Sequence, residues 1–92
     1  MDVLNKGIDY TIEVSDLDVN NTYVAALFNT ASKKSYSVTG FFLGDKCYFY
    51  YPSTYTATFN VGSYQLNVYD KEKREMLYND AYCKVRNTGL EN

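Results

Sequence analysis

The feature that most constrains this sequence is a set of short segments in which apolar and polar residues alternate, with turn-forming residues between them. Residues 8–14 and 63–69 show the alternation most clearly. A period of two places successive side chains on opposite faces of a β-strand. Both segments therefore predict half-buried strands. The predicted core-facing side chains are Ile8, Tyr10, Ile12, Val14, Tyr64, Leu66 and Val68.

Turn signals divide the rest of the chain into further short segments. Asp and Asn enrichment marks a connection at 15–21, and Gly44 followed by an aspartate marks a hairpin turn. Pro52 ends a strand because proline lacks the backbone N–H, and the Ser and Thr residues after it predict a short turn. The charged residues 70–75 predict a solvated hairpin tip. The other predicted strands are 35–43, 46–51, 76–78 and 81–86.

Residues 22–29 fit two interpretations. Tyr23, Val24, Leu27 and Phe28 have the spacing of a helix face, whereas the aromatic and β-branched residues of the segment favour a strand. We favour a strand because every other apolar run in the chain has strand character, and a helix remains the alternative. If the segment is a strand, both of its faces are apolar. We then expect one face to be covered by the core and the other by a further contact.

About seven short strands without a convincing helix predict an all-β fold, a single antiparallel immunoglobulin-like β-sandwich. The Cys-Trp-Cys signature of true immunoglobulin domains is absent, so the prediction concerns the architecture alone. Ninety-two residues, 46% of them hydrophobic, suffice for one domain and are too few for two. We expect that domain to span residues 1–92, with its core in 6–87 and a short C-terminal tail at 88–92.

Charge and composition disfavour several classes of function. The net charge is −2, and no stripe of Lys and Arg provides the footprint that nucleic acid requires. No apolar run approaches the roughly 20 residues of a spanning helix, and the N-terminus lacks the pattern of a secretory signal, so we expect cytoplasmic synthesis and no membrane partner. Histidine, the commonest general base and zinc ligand, is absent. We therefore expect no enzyme activity, no catalytic residue, no cofactor and no metal.

Two smaller motifs have simple interpretations. Asp16, Asp18 and Asn20 have the spacing with which a calcium loop begins, but the position of the bidentate glutamate is apolar, so a turn is favoured. Cys47 and Cys83 lie on the core-facing parity of their predicted strands. Disulfides are rare in a reducing cytoplasm, so we predict two buried, unpaired thiols.

Tyrosine is the one residue type whose abundance points to a binding surface, with 11 copies in 92 residues. Tyrosine is enriched at protein interfaces because it combines a large rigid ring with a hydroxyl group. Several tyrosines fall on the parity opposite to the core positions of their strands. On neighbouring strands they would form an outer aromatic face larger than soluble monomers normally expose, which predicts a protein partner. A register shift that returns some of them to the core is the alternative. The candidates are Tyr48, Tyr50, Tyr69 and Tyr82, with Tyr23 and Leu27 of the doubly apolar segment as a second set.

Residues 51–86 carry a pattern that resembles the closing half of immunoglobulin-like β-sandwich domains in virion proteins of tailed bacteriophages. These include the N-terminal domains of baseplate upper proteins and fibre-attachment proteins. The shared elements are the Ser/Thr-rich turn at 52–57, the glycine, aromatic residue and alternating strand at 62–70, a charged hairpin, and a last strand at 82–86. Residues 6–14 also fit the first strand of this family.

The resemblance implies a non-enzymatic structural protein of a phage particle, made in the bacterial cytoplasm and located in the virion. Its partners would be capsid, fibre or tail proteins, or copies of itself. The family normally carries a long C-terminal region, whereas this sequence ends six residues after Arg86, so we expect an auxiliary protein that decorates the capsid. A tail or baseplate adaptor is the alternative within this class.

Two other classes remain open. A carbohydrate-binding module would stack tyrosines on sugar rings, although the absence of tryptophan counts against it. A bacterial surface or adhesin domain would share the fold.

Overall fold

Eight strands and one helical turn form the part of the chain that the computed structural model describes, residues 2–87. The predicted tail at 88–92 lies outside these residues. The elements are β1 (Asp2–Asn5), β2 (Tyr10–Val14), β3 (Tyr23–Asn29), β4 (Ser35–Thr39), β5 (Phe41–Leu43), β6 (Lys46–Tyr51), α1 (Ser53–Thr56), β7 (Gly62–Asp70) and β8 (Glu75–Arg86).

The strands form two sheets. The larger has five strands in the order β1-β8-β7-β3-β4, and the smaller has three in the order β2-β6-β5. All neighbouring strands are antiparallel except β1 and β8, which run parallel with Asp2 opposite Cys83. The predicted all-β class is confirmed, but the larger sheet is mixed rather than purely antiparallel.

β1 is a strand that the sequence pattern did not predict, because four residues are too few to show a periodicity. Its side chain Leu4 is buried in the core, so the core begins before the predicted limit of residue 6. The chain then turns at residues 6–8, with the amide of Ile8 donating to the carbonyl of Asn5. Ile8 is exposed, although the alternation grouped it with the core positions, because it lies in this turn and ahead of β2.

The ambiguous segment 22–29 is a strand. β3 is an inner strand of the larger sheet, paired with β4 on one side and β7 on the other. Leu27 lies opposite Leu66 of β7, and Ala25 lies opposite Val68. The tertiary pairing therefore decides between the two periodicities that the sequence left open.

The core lies between the facing sides of the two sheets and contains most of the predicted positions. Nearly all of the side chains in the core are apolar, and the burial of apolar surface stabilises a small domain. Of the predicted core-facing residues, those that are buried are Ile12, Val14, Tyr64, Leu66 and Val68, and Tyr10 packs at the margin of the core. Phe49 and Val85 are also buried, and Val38 packs at the margin.

A tyrosine hydroxyl links the two sheets across this core. The hydroxyl of Tyr51, on β6, donates to the carbonyl oxygens of Ala25 (3.1 Å) and Tyr36 (2.9 Å) on the larger sheet. A buried hydroxyl is costly without such partners. The bond therefore fixes the position of one sheet against the other.

An aromatic cluster closes the end of the core beneath α1. Phe59 is fully buried, and its ring lies 4.1 Å from the ring of Tyr36 and 5.9 Å from that of Tyr64, centroid to centroid. The hydroxyl of Tyr64 donates to the carbonyl of Asn60 at 2.7 Å, four residues upstream. This bond ties the start of β7 to the turn that follows α1.

The chain crosses between the sheets at Gly40. The predicted strand 35–43 is divided there into β4 of the larger sheet and β5 of the smaller one. A Cβ atom at Gly40 would lie 2.6 Å from the ring of Phe49 and 2.7 Å from Cys47 Sγ. The absence of a side chain therefore lets the backbone pass against the core.

We predict that Leu66→Ala lowers the free energy of unfolding by about 2–5 kcal/mol, because it leaves a cavity between the sheets. The control is Leu43→Ala, which removes the same atoms from a side chain that is 63% exposed and should change stability little. Thermal and urea denaturation followed by circular dichroism measure both. Equal stability of the two variants would contradict the register of β7.

Candidate binding surfaces

The four tyrosines predicted to form one outer face lie in three different places. Tyr48 and Tyr50 are on β6 of the smaller sheet, and Tyr69 is on β7 of the larger sheet, with the core between them. Tyr82 is half-buried and packs against the core. The expectation of one continuous face is therefore wrong, because β6 belongs to a different sheet from β7 and β8.

The outward side of the smaller sheet carries an aromatic patch, which we call the aromatic face: Phe41, Leu43, Tyr48 and Tyr50. Phe41 lies opposite Tyr48 across the β5–β6 pair, with ring centroids 6.0 Å apart. Phe41 is 47% exposed, Leu43 63% and Tyr50 43%. The structure thus places the first two predicted tyrosines beside two further large apolar side chains.

Sequence reasoning missed Phe41 and Leu43 because three apolar residues in succession hide which of them point outward. The hairpin turn after Leu43 shows which of these three side chains point outward. A two-residue turn pairs Leu43 with Lys46 and Phe41 with Tyr48. Lys46 also forms an ion pair with Glu13 of β2 at 3.2 Å, so the aromatic face has a charged border.

Tyr82 is drawn inward by an irregularity in the pairing of β7 with β8. Tyr64 lies opposite Cys83, but Leu66 lies opposite Asn79, so β8 contains extra residues at this point. Residues 80–82, which begin in the gap between the predicted strands 76–78 and 81–86, form this bulge. The hydroxyl of Tyr82 lies 2.8 Å from that of Tyr10, and burial raises the pKa of both groups.

The second predicted surface is wrong. Tyr23 and Leu27 are buried in the core, because the inner parity of β3 faces the smaller sheet. The hydroxyl of Tyr23 accepts a hydrogen bond from the amide of Asp18 at 3.1 Å. Neither side chain can contact a partner in the folded protein.

A polar cavity of about 290 Å³ opens beside the end of the larger sheet, next to the turn between β7 and β8. We call it the polar cavity; its lining residues are Asn67, Tyr69, Lys73 and Glu75. Asn67 Oδ1 is buried and has no hydrogen-bond partner. A buried acceptor without a partner costs about 1–3 kcal/mol.

A buried carboxylate organises the turn that carries Lys73, one of these lining residues. Asp70 is 1% exposed. Its Oδ1 accepts the amides of Glu72 and Arg74, both at 2.9 Å, and its Oδ2 accepts Arg74 Nε at 2.8 Å. These bonds, with the backbone amide of Arg74 foremost, hold the pKa of the Asp70 carboxyl below its usual value. The charged tip is therefore an ordered turn built around one of its own residues.

The two thiols do not form a reactive site. Cys47 and Cys83 are buried and unpaired, as predicted. Burial raises the pKa of both thiols, that of Cys83 to about 12 with a further contribution from Asp2. A thiol is nucleophilic as the thiolate, so both are inert near neutral pH.

Residues 2–87 contain neither a cluster of metal ligands nor a membrane-spanning helix. Within that range no group of three or more His, Cys, Asp or Glu side chains is placed to hold a metal ion. Over the same residues, no helix has the length and apolar character needed to cross a membrane.

Comparisons with known proteins support the fold. No protein-family profile and no curated protein matches the sequence. The structure resembles the crystal structure of a "putative glycoside hydrolase" from Bacteroides vulgatus ATCC 8482, with a TM-score of 0.64 and 11% sequence identity. The match covers 100% of this chain and 17% of that one. At this identity the likeness concerns the fold alone.

We predict that native protein reacts slowly with iodoacetamide at neutral pH, because both thiols are buried and protonated. In denaturant without reductant, intact mass should show two adducts. A mass lower by two protons together with no adduct would contradict the absence of a disulfide.

Proposed function

We propose that this chain is a non-enzymatic structural module that attaches to a larger protein assembly through the aromatic face. The observation that carries the proposal is the exposure of Phe41, Leu43 and Tyr50 on one side of a three-stranded sheet. Contiguous apolar side chains on the surface of a small soluble protein mark an interaction site. The absence of histidine from the sequence supports a binding role over a catalytic one.

The aromatic face has the composition of an interface centre. Aromatic anchors often cost 2 kcal/mol or more when they are truncated at the centre of an interface. The ion pair of Lys46 with Glu13 provides a polar border, as interfaces commonly have. Many copies on a repeating lattice bind firmly even when each contact is weak.

The assembly we propose is a phage particle, with the chain bound to the capsid surface as an auxiliary protein. A tail or baseplate adaptor is the alternative within the same class. This proposal is supported by the resemblance of residues 51–86 to virion domains. Under it, the protein is located in the virion and its partners are capsid, fibre or tail proteins.

We further propose that the fold is immunoglobulin-like. The smaller sheet joins the second, fifth and sixth strands, and the larger sheet joins the remaining ones. This is the partition of an immunoglobulin sandwich with an extra edge strand, except that the first strand pairs with β8 in the larger sheet. The bond from Tyr64 to the carbonyl of Asn60 has the position of the tyrosine corner of such domains. This assignment agrees with the resemblance to phage domains.

The double variant Tyr48→Ser/Tyr50→Ser should fold and fail to attach, because it removes two rings from the aromatic face. The control is Val19→Ser/Val61→Ser, which replaces two residues of similar exposure outside that face. Circular dichroism checks folding, and quantitative mass spectrometry of purified particles measures incorporation. Normal incorporation of the tyrosine variant would exclude the aromatic face, whereas absence of the unaltered protein from particles would exclude the virion proposal.

Carbohydrate binding is a second candidate function, which the polar cavity favours. Tyr69 offers a ring, and Asn67, Lys73 and Glu75 offer polar groups that converge on one space, as small-ligand sites do. The likeness to a Bacteroides vulgatus protein described as a glycoside hydrolase is weak support for a sugar as the ligand.

Under this second candidate, Tyr69→Ala should weaken binding of a glycan found on an array by about tenfold, equivalent to about 1.4 kcal/mol. Tyr50→Ala is the matched control on the other sheet and should bind as the unaltered protein does. Isothermal titration calorimetry measures both affinities. No binding on the array, or equal losses in both variants, would exclude the polar cavity as a sugar site.

A further inference from the structure

The aromatic face lies on a regular part of the smaller sheet. β2 pairs with β6, and β6 with β5, and neither register contains a bulge. Glu13 lies opposite Tyr48, and Thr11 lies opposite Tyr50. The outward side chains of these strands are therefore direct cross-strand neighbours, and aromatic side chains also reach the diagonal positions.

The ring of Tyr50 is open on both of its flanks. The side chain opposite it on β2 is the small Thr11. On the other flank, the pairing of β5 with β6 ends at Phe41 and Tyr48, so no residue of β5 pairs with Tyr50. Tyr50 is 43% exposed. The face of an accessible tyrosine ring attracts cations.

A carboxylate stands beside this ring. Asp9 directly precedes β2, is exposed, and shares the outward parity of Thr11. Its Oδ1 accepts the amide of Ser53 at 2.7 Å. Burial raises the pKa of the Tyr50 hydroxyl, with a further contribution from its hydrogen bond to Asp9. Both of these partners are uncharged, so they orient the Asp9 carboxylate without neutralising it.

The charges around the aromatic face are mainly negative. Residues 9–16 and 41–51 contain the smaller sheet and the turn residues that adjoin it. The charged residues in these two ranges are Asp9, Glu13, Asp16, Asp45 and Lys46. Lys46 is the only basic one, and it is paired with Glu13. Aromatic side chains with a surplus of carboxylates complement a partner that carries cations.

We propose that the aromatic face binds an arginine-bearing segment of its partner protein, with a guanidinium group stacked on the Tyr50 ring and paired with the Asp9 carboxylate. Arginine fits better than lysine, because its planar guanidinium stacks on aromatic rings and pairs with carboxylates through parallel hydrogen bonds. A carboxylate oxygen accepts more than one hydrogen bond, so the bond from Ser53 leaves Asp9 able to pair. This inference names the chemistry of the partner and rests on the proposed function.

An NMR titration with a defined peptide tests the proposal without the partner protein. The probe is an acetylated, amidated peptide of alternating arginine and glycine, added to the isotope-labelled chain at low ionic strength. We expect amide shifts centred on Asp9, Tyr50 and Ser53. The matched peptide carries citrulline, which has the shape of arginine without its charge, and should bind at least about fivefold more weakly. Equal binding of the two peptides, no binding of the arginine peptide, or shifts centred elsewhere would overturn the proposal.

Two pairs of variants separate the charge from the ring. Asp9→Asn keeps an oxygen for the Ser53 amide but removes the charge, and should weaken the arginine peptide at least about threefold. Asp80→Asn is the matched control, since it removes the same charge from an exposed residue of the larger sheet. Tyr50→Leu should weaken binding more than Tyr50→Phe, which keeps a ring. Equal losses within either pair would contradict the proposed contact.

The peptide titration and the particle experiment fail independently. If the chain attaches to particles through the aromatic face but binds the arginine and citrulline peptides equally, the proposed function stands and an arginine-bearing partner is excluded. If the arginine peptide binds at Tyr50 while Tyr48→Ser/Tyr50→Ser is incorporated normally, the cation site stands and attachment to particles through this face is excluded.

Discussion

The close approach of the two sheets at Gly40 is the constraint on which the arrangement of this molecule depends. The chain must leave β4 and enter β5 within one residue, and the nearest atoms of Phe49 and Cys47 leave no room there for a Cβ. The Tyr51 hydroxyl then holds the sheets at this separation by donating to backbone carbonyls of β3 and β4. Because β5 begins at Phe41, the crossing also decides which side chains reach the aromatic face.

The sequence predicted best where a strand has one covered face. β7 was predicted with its register because its alternation is complete, and its inward side chains are buried as expected. Residues 22–29 were ambiguous because β3 has apolar side chains on both faces. Local periodicity cannot distinguish such a strand from a helix, and its pairing with β4 and β7 supplies the missing information.

The candidate surface was predicted in part, for reasons that are also physical. Tyr48 and Tyr50 were placed correctly on an outward side because β6 is regular. Tyr82 was not, since it lies in a bulge of β8, where three residues stand opposite one residue of β7. The buried carboxylate of Asp70 was missed because its neighbours in sequence are charged. Its partners are backbone amides of the turn, which a residue pattern does not reveal.

The turn around Asp70 couples the shape of one surface to the acidity of the solution. Its carboxylate accepts three hydrogen bonds as an anion, and its pKa is lowered in the folded protein. That contribution to stability is present above the unfolded-state pKa and is lost as the pH falls through the folded-state value. The core between the sheets consists mainly of apolar side chains, whose burial does not require ionisation. Acidification should therefore loosen the turn that holds Lys73 before the two sheets unfold, and the polar cavity would lose one of its lining residues in a protein that is still folded.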